Sequence, residues 1–408
     1  MQYSNRGFTL VELIVVMAMF VIVIAVAGDT FSRIMKFSSQ QSKTAESNIE
    51  GVVGLEMMRK DLASAGFGLP WSFQKTISYK EVNPGAGAKE ALAAAYNGTP
   101  NSETQTGVPS PVSGGNNVAP GNANLLIEGS DYLVLRATSL GTSTAAQRWS
   151  FINYTGATKP TSLAPEAWTR ENLKETDWVA VVRVGLSGSF TKELVMDDAT
   201  DHFTTRYNNL AAYEPNESKV THYIYGITDT DTGEPRMPFN RADYYVRVPA
   251  STDANMLPRR CAPQTGILYK ALVKHADGTV SSTAEAPLLD CVADMQVVYT
   301  LDSLNNGVTR DTDRLTADTP PYLPLTAREI REQLKLIQVY VLTHEGGKDA
   351  LYTYPNPTIG VGPTVDGLTS GSGRTFNLAT NIGTGWQQYR WKIYRVIVKP
   401  ANLGQTLQ

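Results

Sequence analysis

The feature that most constrains this chain is an apolar run with a single acid inside it. Phe8 to Ala27, FTLVELIVVMAMFVIVIAVA, is twenty residues long and Glu12 is its one charge. As a helix rising about 1.5 Å per residue it spans about 30 Å, the hydrocarbon thickness of a bilayer. The run therefore reads as a membrane span. A carboxylate inside such a span costs on the order of 2.5 to 3.5 kcal/mol near its centre, so its presence calls for a cationic partner. No Lys or Arg lies within the run. Cleavage after Gly7 would create one, because the new α-amino group of Phe8 would stand about one helical turn from Glu12, on the same chain or on a packed neighbour.

The junction itself reads RGFTLVE, Arg6 to Glu12. A basic leader ending in Gly, then Phe, then Thr-Leu-Val-Glu opening an apolar helix, resembles the start of a type IV prepilin. The resemblance implies that a membrane-embedded prepilin peptidase cuts between Gly7 and Phe8 and methylates the Phe8 amine. It also implies that Glu12, fifth in the mature chain, pairs with that amine in a growing filament and recruits the subunit. An ordinary signal anchor, or a secretory signal cut within AVAGD at Ala25 to Asp29, would leave both Glu12 and the RGFTLVE junction unexplained.

At 408 residues the chain has length for a large core, and one long helix carrying one elaborated head fits it. Thirty-six basic residues against 39 acidic ones give no global charge that would select nucleic acid or an anionic membrane surface. Arg6 precedes the span and no basic cluster follows until Arg33 and Lys36, a weak positive-inside bias that leaves the head outside the cytoplasm. The two cysteines, Cys261 and Cys291, read first as a disulfide in an oxidising compartment, with two separate buried thiols as the alternative. Closing a loop of that length would stabilise the head by roughly 3.5 kcal/mol. Neither CAP nor DCV supplies the neighbours of a catalytic thiol or a zinc site.

Past Ala27 the sequence turns polar without breaking, and the first proline is Pro70. Ile49, Val52, Leu55, Met58 and Leu62 recur at three- and four-residue intervals, an apolar stripe that wants a sheet to lie on. Gly66, Gly68 and Pro70 are stop signals, with Gly66 suited to a left-handed cap. A single helix from Phe8 to about Ala65 would be roughly 87 Å long, far beyond the helices of globular domains. Such a helix suits a filament subunit, with residues 8–28 in the membrane or filament core and residues 29–66 as the spine of the head. The segment MMRKDLASAGFGLPW, Met57 to Trp71, resembles the end of the first helix in PilW-like minor pilins, and Met57, Met58 and Leu62 read as core residues within it.

From Asn83 to Asn124 the composition falls to Gly, Pro, Ser, Thr, Asn and Ala, with AKEALAAAY as a turn or two of helix. Few large apolar side chains are available to offset ordering entropy, so a long surface excursion is expected. Tyr352 to Arg374 reads as a second insertion. Strands follow from β-branched and aromatic content at Tyr132, Asp177, Thr221, Asp243, Gly266, Cys291, Leu334 and Tyr389. Thr326 and Glu329 stand at capping-box spacing, so a short helix should feed the strand after it. The fold class expected is α+β and pilin-like: a long N-terminal α-helix packed on a mainly antiparallel β head, residues 67–408, with large loop insertions at 83–124 and 352–374.

Catalytic constellations are absent from the sequence. His202, His222, His275 and His344 are scattered without metal-ligand spacing. GLSGS at Gly185 fails the nucleophile-elbow pattern, and the GAGA and GVG stretches do not join a strand to a helix. Acidic turns at Asp229/Asp231 and Asp311/Asp313 offer too few convergent oxygens for a calcium loop and suit hairpin turns. In the last strand Arg390 and Lys392 fall on one face, Tyr389 and Trp391 on the other, the ordinary alternation of a half-buried strand rather than a single-strand-binding face. No enzyme activity, cofactor or nucleic-acid partner is expected. The resemblance implies a minor pilin of a type IV pilus, held in the inner membrane with its leader, residues 1–7, in the cytoplasm, and then displayed on the pilus. Its partners would be prepilin peptidase, other minor and major pilins and the assembly platform. A minor pseudopilin of a type II secretion system shares the same start, and a tip adhesin that meets a surface ligand is a further alternative.

Overall fold

The computed structural model describes residues 9–119, 125–168, 172–184, 192–229, 233–250, 256–280, 285–304, 306–315, 325–365, 368–369 and 372–403. Helix α1 runs from Leu10 to Ser64, 55 residues without a break. After it come α2 (Ala88–Ala94), β1 (Val112–Gly115), β2 (Tyr132–Ala137), β3 (Trp149–Tyr154), β4 (Trp178–Val184), β5 (Lys192–Leu194), β6 (Thr205–Arg206), β7 (Val220–Thr228) and β8 (Asn240–Arg247). The remainder is β9 (Gly266–Leu272), β10 (Glu285–Leu301), β11 (Arg310–Thr312), α3 (Ala327–Gln333), β12 (Leu334–Glu345), β13 (Thr358–Val361), β14 (Arg374–Asn377) and β15 (Arg390–Val398). This is an α+β, pilin-like arrangement: an apolar N-terminal helix on a mainly antiparallel β body.

The central sheet has the strand order β15-β12-β10-β9-β8-β2-β1, with β11 added on β10. Every pair in it is antiparallel. One face meets α1, where Leu55, Met58, Leu62 and Ala65 join Leu133, Leu135, Tyr244, Val246, Met295 and Val339 in one core. The other face meets a second sheet, ordered β5-β4-β7-β3, through Tyr132, Val134, Tyr245 and Tyr269 on one side and Ala180, Val182 and Tyr225 on the other. The head is therefore three layers: helix, sheet, sheet. Strands covered on both faces lose the polar alternation of a surface strand, which is why β2 and β8 are buried at every position. A further cluster, with Ile152, Val179, Ile224, Leu210 and Tyr213, lies on the outer face of the second sheet.

Helix α1 ends as its sequence requires. Gly66 takes φ +79 just past the cap and its N–H donates to the Arg136 carbonyl, tying the helix end to β2. The seam with the sheet is narrower than the sequence stripe, because Val52 is 60% exposed and Met57 also faces outward. Glycine explains the difference. A Cβ on Gly54 would stand 1.9 Å from the Leu288 carbonyl oxygen, so helix and β10 meet backbone to backbone there, and Val52 lies off that line. Asp61 then pins the register. It is buried on the same side, ion-paired with Lys270 of β9 and accepting the Tyr244 hydroxyl of β8.

The segment from Asn83 departs most from expectation. Up to residue 119 it is laid into the head instead of looping over the surface: α2 buries Ala93 and Ala94, and β1 joins the central sheet. Polar contacts account for this. Arg136 and Arg241 are fully buried in β2 and β8, and both reach Glu81, at 2.7 and 2.8 Å. Arg241 also binds Asp243 and the Ala93 carbonyl, and Arg136 binds the Tyr96 carbonyl and Ser113. Burial opposes charge on Glu81, but the two guanidiniums outweigh it and hold the carboxyl below its ordinary range. The low-complexity segment is held because the two buried cations need the Ala93 and Tyr96 carbonyls and Ser113 within it, while Glu81 just before it supplies the carboxylate. The 352–374 insertion likewise contributes β13 and, at its end, β14, which pack Val361 and Phe376 onto the β12 and β15 end of the sheet.

Cys261 and Cys291 are joined in a disulfide, with Cα atoms 4.8 Å apart, that fastens the loop before β9 to β10. The expected capping box at Thr326 and Glu329 is present, and α3 passes directly into β12.

Candidate functional site

The N-terminus of α1 is built by two side chains, Thr9 and Glu12. Thr9 caps the helix: its hydroxyl accepts the Glu12 N–H at 3.3 Å, and Glu12 Oε2 in return accepts the Thr9 N–H at 3.0 Å and hydroxyl at 2.9 Å. This is a reciprocal capping box, and it aims the Glu12 carboxylate back toward the helix start. Glu12 has hydrogen-bond partners even where no cation is at hand. Thr-x-x-Glu in FTLVE carries that signal in the sequence, and a search confined to charge partners passes over it. Gly7 and Phe8 lie outside the described residues.

Downstream of the box the helix is bare. Leu10 to Ser32 is a 23-residue apolar stretch, long enough to cross a membrane, and its apolar part is not buried against the head. Its large side chains, from Leu10 and Val11 through Phe20 to Phe31, all face outward, and Ile34 and Met35 extend the exposed apolar surface. Within it Thr30 donates its hydroxyl to the Val26 carbonyl at 2.8 Å, so that polar group is satisfied inside the helix. An apolar surface of this length needs lipid or other helices around it.

Residues 3–28 match the family model for the prokaryotic N-terminal methylation motif. That match supports a type IV pilin-like or pseudopilin-like protein, processed by prepilin peptidase, anchored by its apolar helix and associating with other pilins. It points to a structural subunit rather than an enzyme. No curated protein and no solved structure matches the chain.

The head places the remaining candidate residues apart. His222, His275 and His344 are buried, and burial lowers the proton affinity of all three, His275 to about 4 and His344 to about 3. His344 Nε2 accepts the Ala262 N–H beside the disulfide, and its ring packs on Tyr389 and Trp391. These are core histidines. His202 differs, being exposed and hydrogen-bonded through Nδ1 to Glu234 at 2.7 Å. Asp229 accepts the Thr144 hydroxyl and N–H, while Asp231 lies outside the described residues. Asp311 accepts from Thr300 and Gln338, and Asp313 faces Arg314. Of the basic groups, Arg260 pairs with Asp290, Arg390 with Asp349 and Lys392 with Glu345, so the two cations at the start of the final strand are held in ion pairs.

Sequence reasoning did not find two clusters. One is the Asp61–Lys270–Tyr244 pin, signalled only by an acid in the middle of the Met58–Leu62 stripe. The other is a cleft on the outer layer around His202 and Glu234, whose members come from segments remote in sequence.

Proposed function

We propose that this chain is a minor pilin, PilW-like, that helps initiate type IV pilus assembly and sits at or near the pilus tip. Prepilin peptidase removes residues 1–7 and methylates Phe8. The head then lies outside the inner membrane, and the bare half of α1 stores the subunit in the bilayer before packing among sister helices on the assembly platform. The observation that carries this reading is a prepilin-type start on a helix whose apolar half is uncovered over Leu10–Ser32 while its other half is fixed to a three-layer head. A head of that bulk suits a place occupied once per filament better than one repeated along a shaft.

In this account the capping box keeps Glu12 hydrogen-bonded while the subunit is alone in lipid. The Phe8 amine of the same or an adjoining chain then supplies the counter-ion. Glu12→Ala tests it: the variant should remain in the membrane while pilus number falls, and normal piliation would rule the role out. A minor pseudopilin shares the methylation motif, and a deletion strain that loses protein secretion but keeps its pili would select that reading instead.

A further inference from the structure

Two cations of the head share one aromatic ring. Trp71 follows the stop of α1, and its N–H donates to the Lys192 carbonyl at the start of β5. The Lys192 ammonium lies 5.4 Å over the Trp71 ring, and the Arg331 guanidinium, carried by α3, lies 5.7 Å over the same ring. Three segments remote in sequence thus bring two positive charges to one indole. Helix α1 rises about 48 Å between Ser32 and Ser64, so this cluster stands at the end of the head remote from the bare half of the helix.

Neither charge is neutralised by a carboxylate bonded to it. Arg331 is 7% exposed, and its one side-chain hydrogen bond among the described residues runs from Nη1 to the Pro70 carbonyl at 3.0 Å. Lys192 is half-buried, and its ammonium has no hydrogen bond or ion pair among them. The acids beside them in sequence are committed elsewhere, Glu332 to Arg328 at 2.7 Å and Glu193 to Arg183 at 2.6 Å. Burial, followed by the Arg331 charge, lowers the proton affinity of Lys192, and burial lowers that of Arg331 to about 10, so the guanidinium still carries its charge at neutral pH. A ring face attracts a cation but accepts few of its N–H donors, and a guanidinium has five and an ammonium three. A shielded charge with spare donors is satisfied best by an oxyanion. A carboxylate would balance one of the two cations. A phosphoryl dianion balances both, and its oxygens suit the fork of an arginine.

We propose that Lys192 and Arg331, held on the Trp71 ring, form a binding site for a phosphate dianion, either free or as a phosphomonoester. The inference stands on this cluster and does not depend on the pilin reading. The test is calorimetric titration of the full chain, purified in a maltoside detergent and a phosphate-free buffer of low ionic strength, with inorganic phosphate, glycerol phosphate and acetate. Both phosphates should bind at millimolar concentration or below, and acetate about tenfold more weakly. Tighter binding of glycerol phosphate than of inorganic phosphate would support the site as one for a phosphoryl group carried on a larger molecule, and equal binding as one for the free ion. Lys192→Gln should weaken phosphate about tenfold, and so should Arg331→Lys, which keeps the charge and loses the fork. Lys348→Gln, an exposed lysine past the far end of β12, should leave it unchanged. If Arg331→Lys fails to fold, Lys192→Gln, at a half-buried group with no hydrogen bond to lose, carries the test by itself. No phosphate binding at tens of millimolar, phosphate binding unchanged in Lys192→Gln, or acetate bound as tightly as phosphate would overturn the proposal.

Discussion

Gly54→Ala should destabilise the head although it improves the helix. In an isolated helix the change is favourable by about 1 kcal/mol, because alanine has less backbone entropy to lose. Here the new methyl would lie 1.9 Å from the Leu288 carbonyl oxygen and 2.6 Å from its carbon, both backbone atoms of β10 that no rotamer change can move. Relief requires helix and strand to separate by more than an ångström. That loosens the packing of Leu55, Met58 and Leu62, and lengthens the buried Asp61–Lys270 contact. Overpacking on this scale typically costs about 1 to 3 kcal/mol, which exceeds the propensity gain. Urea unfolding of the detergent-solubilised chain, followed by tryptophan fluorescence, should show a lower midpoint for Gly54→Ala and little change for Val53→Ala on the exposed side. A Gly54→Ala chain as stable as the parent, or more so, would refute the backbone-to-backbone seam.

Glu81→Gln leaves Arg136 and Arg241 buried with no carboxylate between them and should cost about 3 to 5 kcal/mol. Limited proteolysis should then find new cuts between residues 83 and 119, where the parent resists. Stability should also fall on mild acidification. His344 titrates near 3 in the folded head against about 6.5 unfolded, so its contribution is complete above pH 6.5 and declines below it, reaching a loss of about 2 kcal/mol at pH 5. The difference in unfolding free energy between pH 7 and pH 5 should accordingly shrink by about that amount in His344→Gln. An unchanged difference would show that the ring is free to take a proton in the folded state.

The long helix, its stop at Gly66 and eight of the principal strands are legible in the sequence because each rests on local signals: apolar period, turn residues and caps. Strand β3 is not, since WSFINY is short and mixes exposed Trp149 with buried Ile152. The ordering of residues 83–119 also escapes a local reading. Its determinants are Arg136 and Arg241, which sit in other strands and look like ordinary surface charges until the second sheet covers them. The same holds for the outer cleft, where Trp178, His202 and Glu234 converge only through the packing of β4, β6 and the loop before β8. At the N-terminus almost everything is local, which is why Glu12 and the RGFTLVE junction stand out in the sequence, and the Thr9 cap could have been read there too.

Intact-mass and N-terminal analysis of the chain extracted from membranes tests the central claim most directly. A single mature species that begins at Phe8 with a methylated amine is expected. A chain that keeps residues 1–7 in cells with an active prepilin peptidase would contradict it.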